Sequence, residues 1–375
     1  MDYKPIPGSR IFSAVRDKKM IIMAANTRMD IGCVRGIFRA AKELNSAIIF
    51  ELARSESDLS GGYTGITPAL YAEITMKAAR EVGHDIWALH ADHIGVKEGT
   101  REEIDSTKKL IMGQIDAGYT SFAIDPSHLF NFDGKTVLEE LRQNLDATEE
   151  LAKFIEENVN GEFGLEVEVG EIGREDKKGR ILTTPEEAVT FISELNRRGV
   201  YPQVLAIANG SSHGNTYDKN GKLIPQVSID IEQTIRVAKA LEENNLNVRI
   251  AQHGITGTPI ELIRDKFPKG HIIKGNVATY WQNMVWDILR EHEPELFKKI
   301  WDWTLEKYRD EGKSEDEVFG KFSKKAIKPH ADEINAVSQA TKRIVEERAY
   351  AEAKEFMKAF GSEGSADIVR EEFGR

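Results

Sequence analysis

Short runs of Ile, Val, Phe, Leu and Ala recur along the chain and alternate with longer segments whose apolar residues return at helical spacing. Eight such runs stand out: 20–26 (MIIMAAN), 47–52 (AIIFEL), 85–92 (DIWALHAD), 121–126 (SFAIDP), 163–170 (FGLEVEVG), 204–210 (VLAIANG), 248–254 (VRIAQHG) and 271–277 (HIIKGNV). Parallel strands buried on both faces need continuous apolar runs of this kind, and the amphipathic stretches between them supply crossover helices. Helix starts are legible as well. Thr184-Pro185 followed by Glu186 and Glu187 places proline in a first turn and acids at the positive end of a helix dipole, and Thr67-Pro68 and Thr258-Pro259 repeat the device. Eight strand–helix units predict an α/β fold, a closed (β/α)8 TIM barrel over residues 1–285.

From Trp281 the alternation stops, and residues 286–375 read as a helical extension that packs on the barrel and offers surface to a second subunit. Within it, 309–320 (RDEGKSEDEVFG) reads as a charged hinge and Gly361-Ser362-Glu363-Gly364-Ser365 as a mobile break.

Bulk properties narrow the function. With 51 Lys and Arg against 62 acids the net charge is −11, which argues against a nucleic-acid surface. The single cysteine, Cys33, has no internal disulfide partner, so a metal site must draw on His and carboxylate, and a reducing cytoplasm is the expected location. There is no apolar leader at the N-terminus and no long apolar run, so neither export nor a membrane partner is expected.

The candidate chemistry lies where the runs end, because a barrel gathers those ends on one rim. His93, His213 and His253 each follow a different run beside a small or flexible residue, as three ligands of a divalent cation would. Any one of them alone reads equally well as a structural histidine. His90, two residues from Asp92, reads as a core histidine, and His84 and His128 as surface ones. Asp92 stands at the rim, suited to proton transfer. Glu166 and Glu168 alternate within a strand, and buried acids there imply a cation or polar site nearby. Glu175 and Asp176 follow the Gly-rich segment 170–174, where a loop acid could close over substrate. Three late segments could cradle a phosphate: 211–214, Gly254 to Thr258 with Thr256, and Gly275 to Thr279 leading into a helix.

These motifs resemble the metal-dependent, class II fructose-bisphosphate aldolases. His90-Ala91-Asp92-His93 is similar to that family's His-x-Asp-His segment, and Glu166-Val167-Glu168 to its Glu-x-Glu strand. His213-Gly214, His253-Gly254 and Asn276 then fall in its order, over residues 15–285. The resemblance implies Zn2+ or another divalent metal on His93, His213 and His253 with Glu168 ordering the site, and a monovalent cation nearby. It also implies Asp92 handling the hydroxyl proton, Glu175 taking the proton from dihydroxyacetone phosphate, and Asn276 supporting the enediolate. Phosphate contacts would come from Gly214, Gly254, Thr256 and Thr279, with Lys274 as a further candidate. The implied activity is cleavage or formation of a ketose 1-phosphate or bisphosphate, fructose 1,6-bisphosphate foremost, in a homodimer or larger assembly.

Some positions depart from that pattern. Ile255 replaces the second glycine after the last ligand, the Gly-rich loop is one residue shorter, Ala278 stands where an aspartate is common, and 54–65 is unlike the usual segment. An aldolase for another ketose phosphate fits these departures. Two further readings compete: a Schiff-base aldolase using Lys274 as the amine, and a noncatalytic barrel subunit of an aldolase complex.

Overall fold

All eight apolar runs become strands, because their residues can be buried on both sides. The computed structural model describes residues 3–170, 175–176, 179–212, 214–218 and 221–374. The strands are β1 (Ile22–Asn26), β2 (Ile48–Ala53), β3 (Trp87–Gly95), β4 (Ser121–Asp125), β5 (Gly164–Glu168), β6 (Val204–Ala206), β7 (Arg249–Gln252) and β8 (Ile272–Val277). They form a closed parallel barrel in which every strand pairs with its neighbours in sequence and β8 pairs with β1. Every residue of β1, β2, β4, β5, β6 and β8 is buried.

Two apolar clusters result. The larger lies between the sheet and the surrounding helices. The smaller fills the lower barrel with Ile22, Ala24, Ile49, Ala88, Val204, Ala206 and Ala251, and is closed below by Ile11, Phe12 and Val15 of the helix Gly8–Val15. A side chain at Gly8 would put its Cβ 2.5 Å from Ser121 Oγ, so glycine lets this plug sit against the strands. Towards the strands' C-terminal ends the buried residues turn polar, with Asn26, Glu51, His90, Asp92, Glu166, Glu168, Lys274 and Asn276 all buried. That change of polarity places the site.

The helix starts form as expected at two of three positions. Thr67 caps Pro68–Val82, and Thr184 with Glu187 closes a reciprocal capping box on Pro185–Arg197. At the third, Thr258 N is bonded back to Ile255 O, so the chain is still turning and Pro259 becomes the uncapped residue before Ile260–Lys266.

His84 is buried, not at the surface as its sequence context suggested. Its Nε2 lies 3.1 Å from Ile86 O, and burial lowers its pKa to about 4. Above the ordinary imidazole value of 6.5 the ring is neutral folded or unfolded and adds no pH dependence. As pH falls towards 4 the unfolded chain takes up a proton that the folded one refuses, so stability should decline by up to about 3 kcal/mol. Urea unfolding of the protein and of His84→Gln at pH 7.5 and pH 5 checks this: the variant should lose clearly less stability on acidification.

The extension begins within the helix Thr279–His292, which runs through residue 285. Its long helix Gln339–Phe360 lies along Cys33–Glu43 so closely that a Cβ at Gly36 would stand 2.3 Å from Glu346 O. The charged segment 309–320 is part turn and part helix, with Ser314 capping Glu315–Phe322. Gly361–Ser365 is a packed turn where a loose break was expected. Ser362 and Ser365 are fully buried, Ser46 Oγ meets Ser362 Oγ at 2.9 Å, and Ala47 N donates to Ser365 Oγ at 2.9 Å. Their hydroxyls find partners at the start of β2, which their local composition does not reveal.

Candidate active site

The sequence of β3 alone would send Asp92 and His93 to opposite faces, since strand side chains alternate. A bulge prevents this. Pairing with β4 runs Ala91↔Phe122 and then Ile94↔Ile124, so β3 carries an extra residue, and His93 has φ of +40°. Both side chains consequently reach one buried cluster. Ligand atoms of Asp92, His93 and His253 all lie within 4.8 Å of one another, and the two rings are 4.5 Å apart between centroids.

Each imidazole is oriented by carboxylates. His93 Nδ1 is 2.9 Å from Asp125 Oδ2 and 3.0 Å from Glu168 Oε2, and His253 Nε2 is 2.8 Å from Glu166 Oε1. Metal-ligating histidines are commonly held in this way, one ring nitrogen fixed by an acid and the other presented to the ion. Asn276 Nδ2 donates to Asp92 Oδ1 at 3.1 Å, while Asn276 Oδ1 is buried with no hydrogen-bond partner among the described residues. An orphaned acceptor beside two imidazoles and a carboxylate is a donor set that a divalent cation and an oxygen-rich substrate would satisfy.

The charges agree. Burial opposes a charged ring at His93, yet the Asp92, Glu168 and Asp125 carboxylates outweigh it and hold His93 well above its ordinary value. Burial, with the neighbouring Asp125, pushes Glu168 up to about 8. Asp125 is held low despite burial by His93, and Asp92 likewise by His93, Lys274 and His253. With His93 and Glu168 both shifted towards their protonated forms, a cation bound among these groups should displace protons.

Beneath lies a sealed ionic layer. Lys274 is fully buried, with Nζ 2.8 Å from Glu166 Oε2, 3.0 Å from Glu51 Oε2, 3.3 Å from His90 Nε2 and 3.9 Å from Asp92 Oδ1. In place of the expected phosphate contact, the lysine ties together the acids that orient His253 and flank Asp92. Burial opposes its charge, but Glu166, Glu51 and Asp92 hold its pKa above the ordinary lysine value. A nucleophilic amine must be neutral, so this environment works against Schiff-base chemistry. His90, also fully buried, has Nδ1 2.7 Å from Ser121 Oγ and a pKa lowered by burial to about 4, in keeping with a core histidine.

The late loops are glycine-shaped. Gly214 and Gly254 have φ of +86° and +64°, and a Cβ at Gly254 would come 2.7 Å from Ser212 O. Thr256 Oγ1 accepts from Tyr280 N at 3.1 Å, and Thr279 Oγ1 accepts from Arg28 Nη1 at 3.2 Å. Gln226 staples the two loops: its Oε1 accepts from Ser212 N at 3.0 Å and its Nε2 donates to Gly254 O. Sequence reasoning missed Gln226, which carries no local signal, and gave Asp125 no role although it stood on the rim. His213 lies outside the described residues, as does the side chain of Glu175, whose backbone pairs in a short hairpin with Arg180.

Comparison with known proteins adds the following. The family described as Fructose-bisphosphate aldolase class-II matches residues 7–365. A fructose-bisphosphate aldolase of Thermus caldophilus is 28% identical over 258 residues, 69% of this chain and 71% of that one. One from Corynebacterium glutamicum is 28% identical over 282 residues, 73% of this chain and 74% of its own length. Among solved structures, fructose-bisphosphate aldolase from Campylobacter jejuni superposes with a TM-score of 0.64 at 19% identity, covering 96% of this chain and 97% of that chain, a likeness of fold.

Proposed function

The chain belongs to the class-II fructose-bisphosphate aldolase family, and from that premise we propose that it cleaves and forms a ketose 1-phosphate or bisphosphate with the aid of Zn2+ or a similar cation. Fructose 1,6-bisphosphate, giving dihydroxyacetone phosphate and glyceraldehyde 3-phosphate, is the first substrate to test. The observation that carries the reading is the convergence of Asp92, His93 and His253 with acids behind both imidazoles.

In this reading His93 and His253 hold the ion, with His213 as the third ligand and Glu168 ordering His93. The bound cation would supply Lewis acidity, drawing charge from the substrate carbonyl as the carbon–carbon bond breaks. Asp92, ionised and steadied by Asn276, takes the proton of the hydroxyl on the carbon being released, and returns it in the condensation direction. Glu175, on its loop, moves the proton at the carbon beside the carbonyl. Backbone groups near Gly214 and Gly254, with Thr256 and Thr279, receive the phosphate, where a monovalent cation would also bind. The family resemblance further supports assembly as a homodimer or larger oligomer, and the lone buried Cys33 suits a reducing cytoplasm.

Among the described residues no helix is long and apolar enough to cross a membrane. The noncatalytic reading calls for a missing ligand or acid, whereas Asp92, His93 and His253 are all in place. The test is turnover of fructose 1,6-bisphosphate and related ketose phosphates before and after a chelator, alongside borohydride treatment with substrate. Activity should vanish with chelation, return with Zn2+, and survive borohydride. Borohydride inactivation with indifference to chelator would transfer the chemistry to an amine.

A further inference from the structure

Gln226 turns inwards against the trend of its own segment. It follows a short ribbon in which Thr216–Tyr217 pairs with Leu223–Ile224, and it is 1% exposed while Leu223 and Val227 on either side are 57% and 67% exposed. A glutamine buried where neighbouring leucine and valine face water needs partners that offset its desolvation. The ribbon is held in place by the C-terminal helices. Asn283 Nδ2 donates to Asn215 Oδ1 at 2.7 Å, Ser314 Oγ donates to Gly221 O at 3.3 Å, and Gly320 leaves room for the Tyr217 hydroxyl, which a side chain there would displace.

Delivered in this way, Gln226 bonds to both late loops at once. Its Oε1 accepts from Ser212 N at 3.0 Å and from Ser212 Oγ at 2.7 Å, its Nε2 donates to Gly254 O, and its own N donates to Gly257 O at 2.9 Å. The carbonyls at both ends of the turn 254–257 are therefore tied to one residue. Every peptide here is trans, so its N–H points opposite to its C=O. With Gly254 O drawn to Gln226, the Ile255 N–H must face away from it. Thr256 Oγ1, accepting from Tyr280 N at 3.1 Å, and Thr258 N, donating to Ile255 O at 2.9 Å, brace the far side of the turn. Among the described residues the N–H groups of Ile255, Thr256 and Gly257 have no acceptor. Successive open N–H groups in a braced turn favour an anion.

We infer that Gln226 is a positioning residue for the phosphate of the ketone half of the substrate: it binds the two loops from behind and fixes the turn 254–257 with its N–H groups towards the anion. It touches neither the metal ligands His93 and His253 nor Asp92, so its contribution is to affinity for the phosphate and not to the bond-breaking step. This inference rests on the aldolase reading and gives the ribbon after Gly214, with the helices that hold it, a part in substrate binding.

The experiment follows exchange of the dihydroxyacetone phosphate proton with deuterated solvent by NMR, a partial reaction that needs no aldehyde. Metal-loaded wild type is compared with Gln226→Leu, Gln226→Glu and Ser212→Ala, with inorganic phosphate as competing anion and zinc content measured on each sample. In Gln226→Leu the half-saturating concentration of dihydroxyacetone phosphate and the inhibition constant of phosphate should both rise about tenfold or more, while zinc content and the maximal exchange rate stay near those of the parent. Gln226→Glu keeps the acceptor for Ser212 but loses the donor to Gly254 O, and should weaken both at least as much. Ser212→Ala, which removes a single bond to Gln226, should weaken both about threefold and decides the matter if the Gln226 variants do not fold. Unchanged affinities in the folded variants, or lost zinc and lost maximal rate with affinities unchanged, overturn the inference alone. Absence of exchange in the wild type overturns the aldolase reading and this inference with it.

Discussion

Replacement of Asp92 by asparagine should lower turnover roughly 10²- to 10⁴-fold while leaving the metal content close to that of the parent, measured by steady-state cleavage and elemental analysis of the same sample. Asparagine keeps the shape of the side chain and a carbonyl oxygen for Asn276 Nδ2, but it cannot carry a proton. The size of the effect follows from the site's electrostatics. Asp92 is buried, a setting that by itself would favour the neutral acid, yet His93, Lys274 and His253 keep it ionised. Lys274 Nζ is 3.9 Å from its Oδ1, so the base is both charged and fixed in direction. Near-normal turnover in the variant would remove Asp92 from the proton path.

The second large effect concerns His253. Glutamine there can still donate to Glu166 and fill most of the ring's volume, so the barrel should remain folded, but no imidazole nitrogen is left for the ion. Metal and activity should be lost together, with turnover down by at least about 10³-fold if the metal provides the main electrostatic stabilisation of the breaking bond. Dialysis against a metal buffer followed by elemental analysis and assay makes the comparison. Full metal occupancy in His253→Gln would show that His253 is not a ligand. Full occupancy with full activity would also detach the chemistry from this end of β7.

The barrel was legible because its strands are buried on both faces, a condition that leaves continuous apolar runs such as Ile48-Ile49-Phe50 and Ile272-Ile273 in the sequence. Interactions between distant segments were not. Ser362 and Ser365 look like solvent-loving residues until Ser46 and Ala47, more than three hundred residues earlier, take up their hydroxyls. His84 gave the same false signal, since backbone groups of Ser46 and Ile86 satisfy it out of water.

Within the site, the residue types at strand ends pointed to Asp92, His93, His253 and Asn276, and the structure gathers these four. Two things lay beyond periodicity. The β3 bulge that re-aims His93 breaks the alternation on which strand reading depends. The burial of Lys274 depends on acids from β2 and β5, which its own strand does not contain.

Anomalous diffraction at the zinc edge, from crystals grown with Zn2+, tests the central claim most directly. A single strong peak within bonding distance of both His93 and His253, with His213 completing the set, is the predicted result. A protein that takes up zinc elsewhere, or holds it on only one of these imidazoles, would contradict the account.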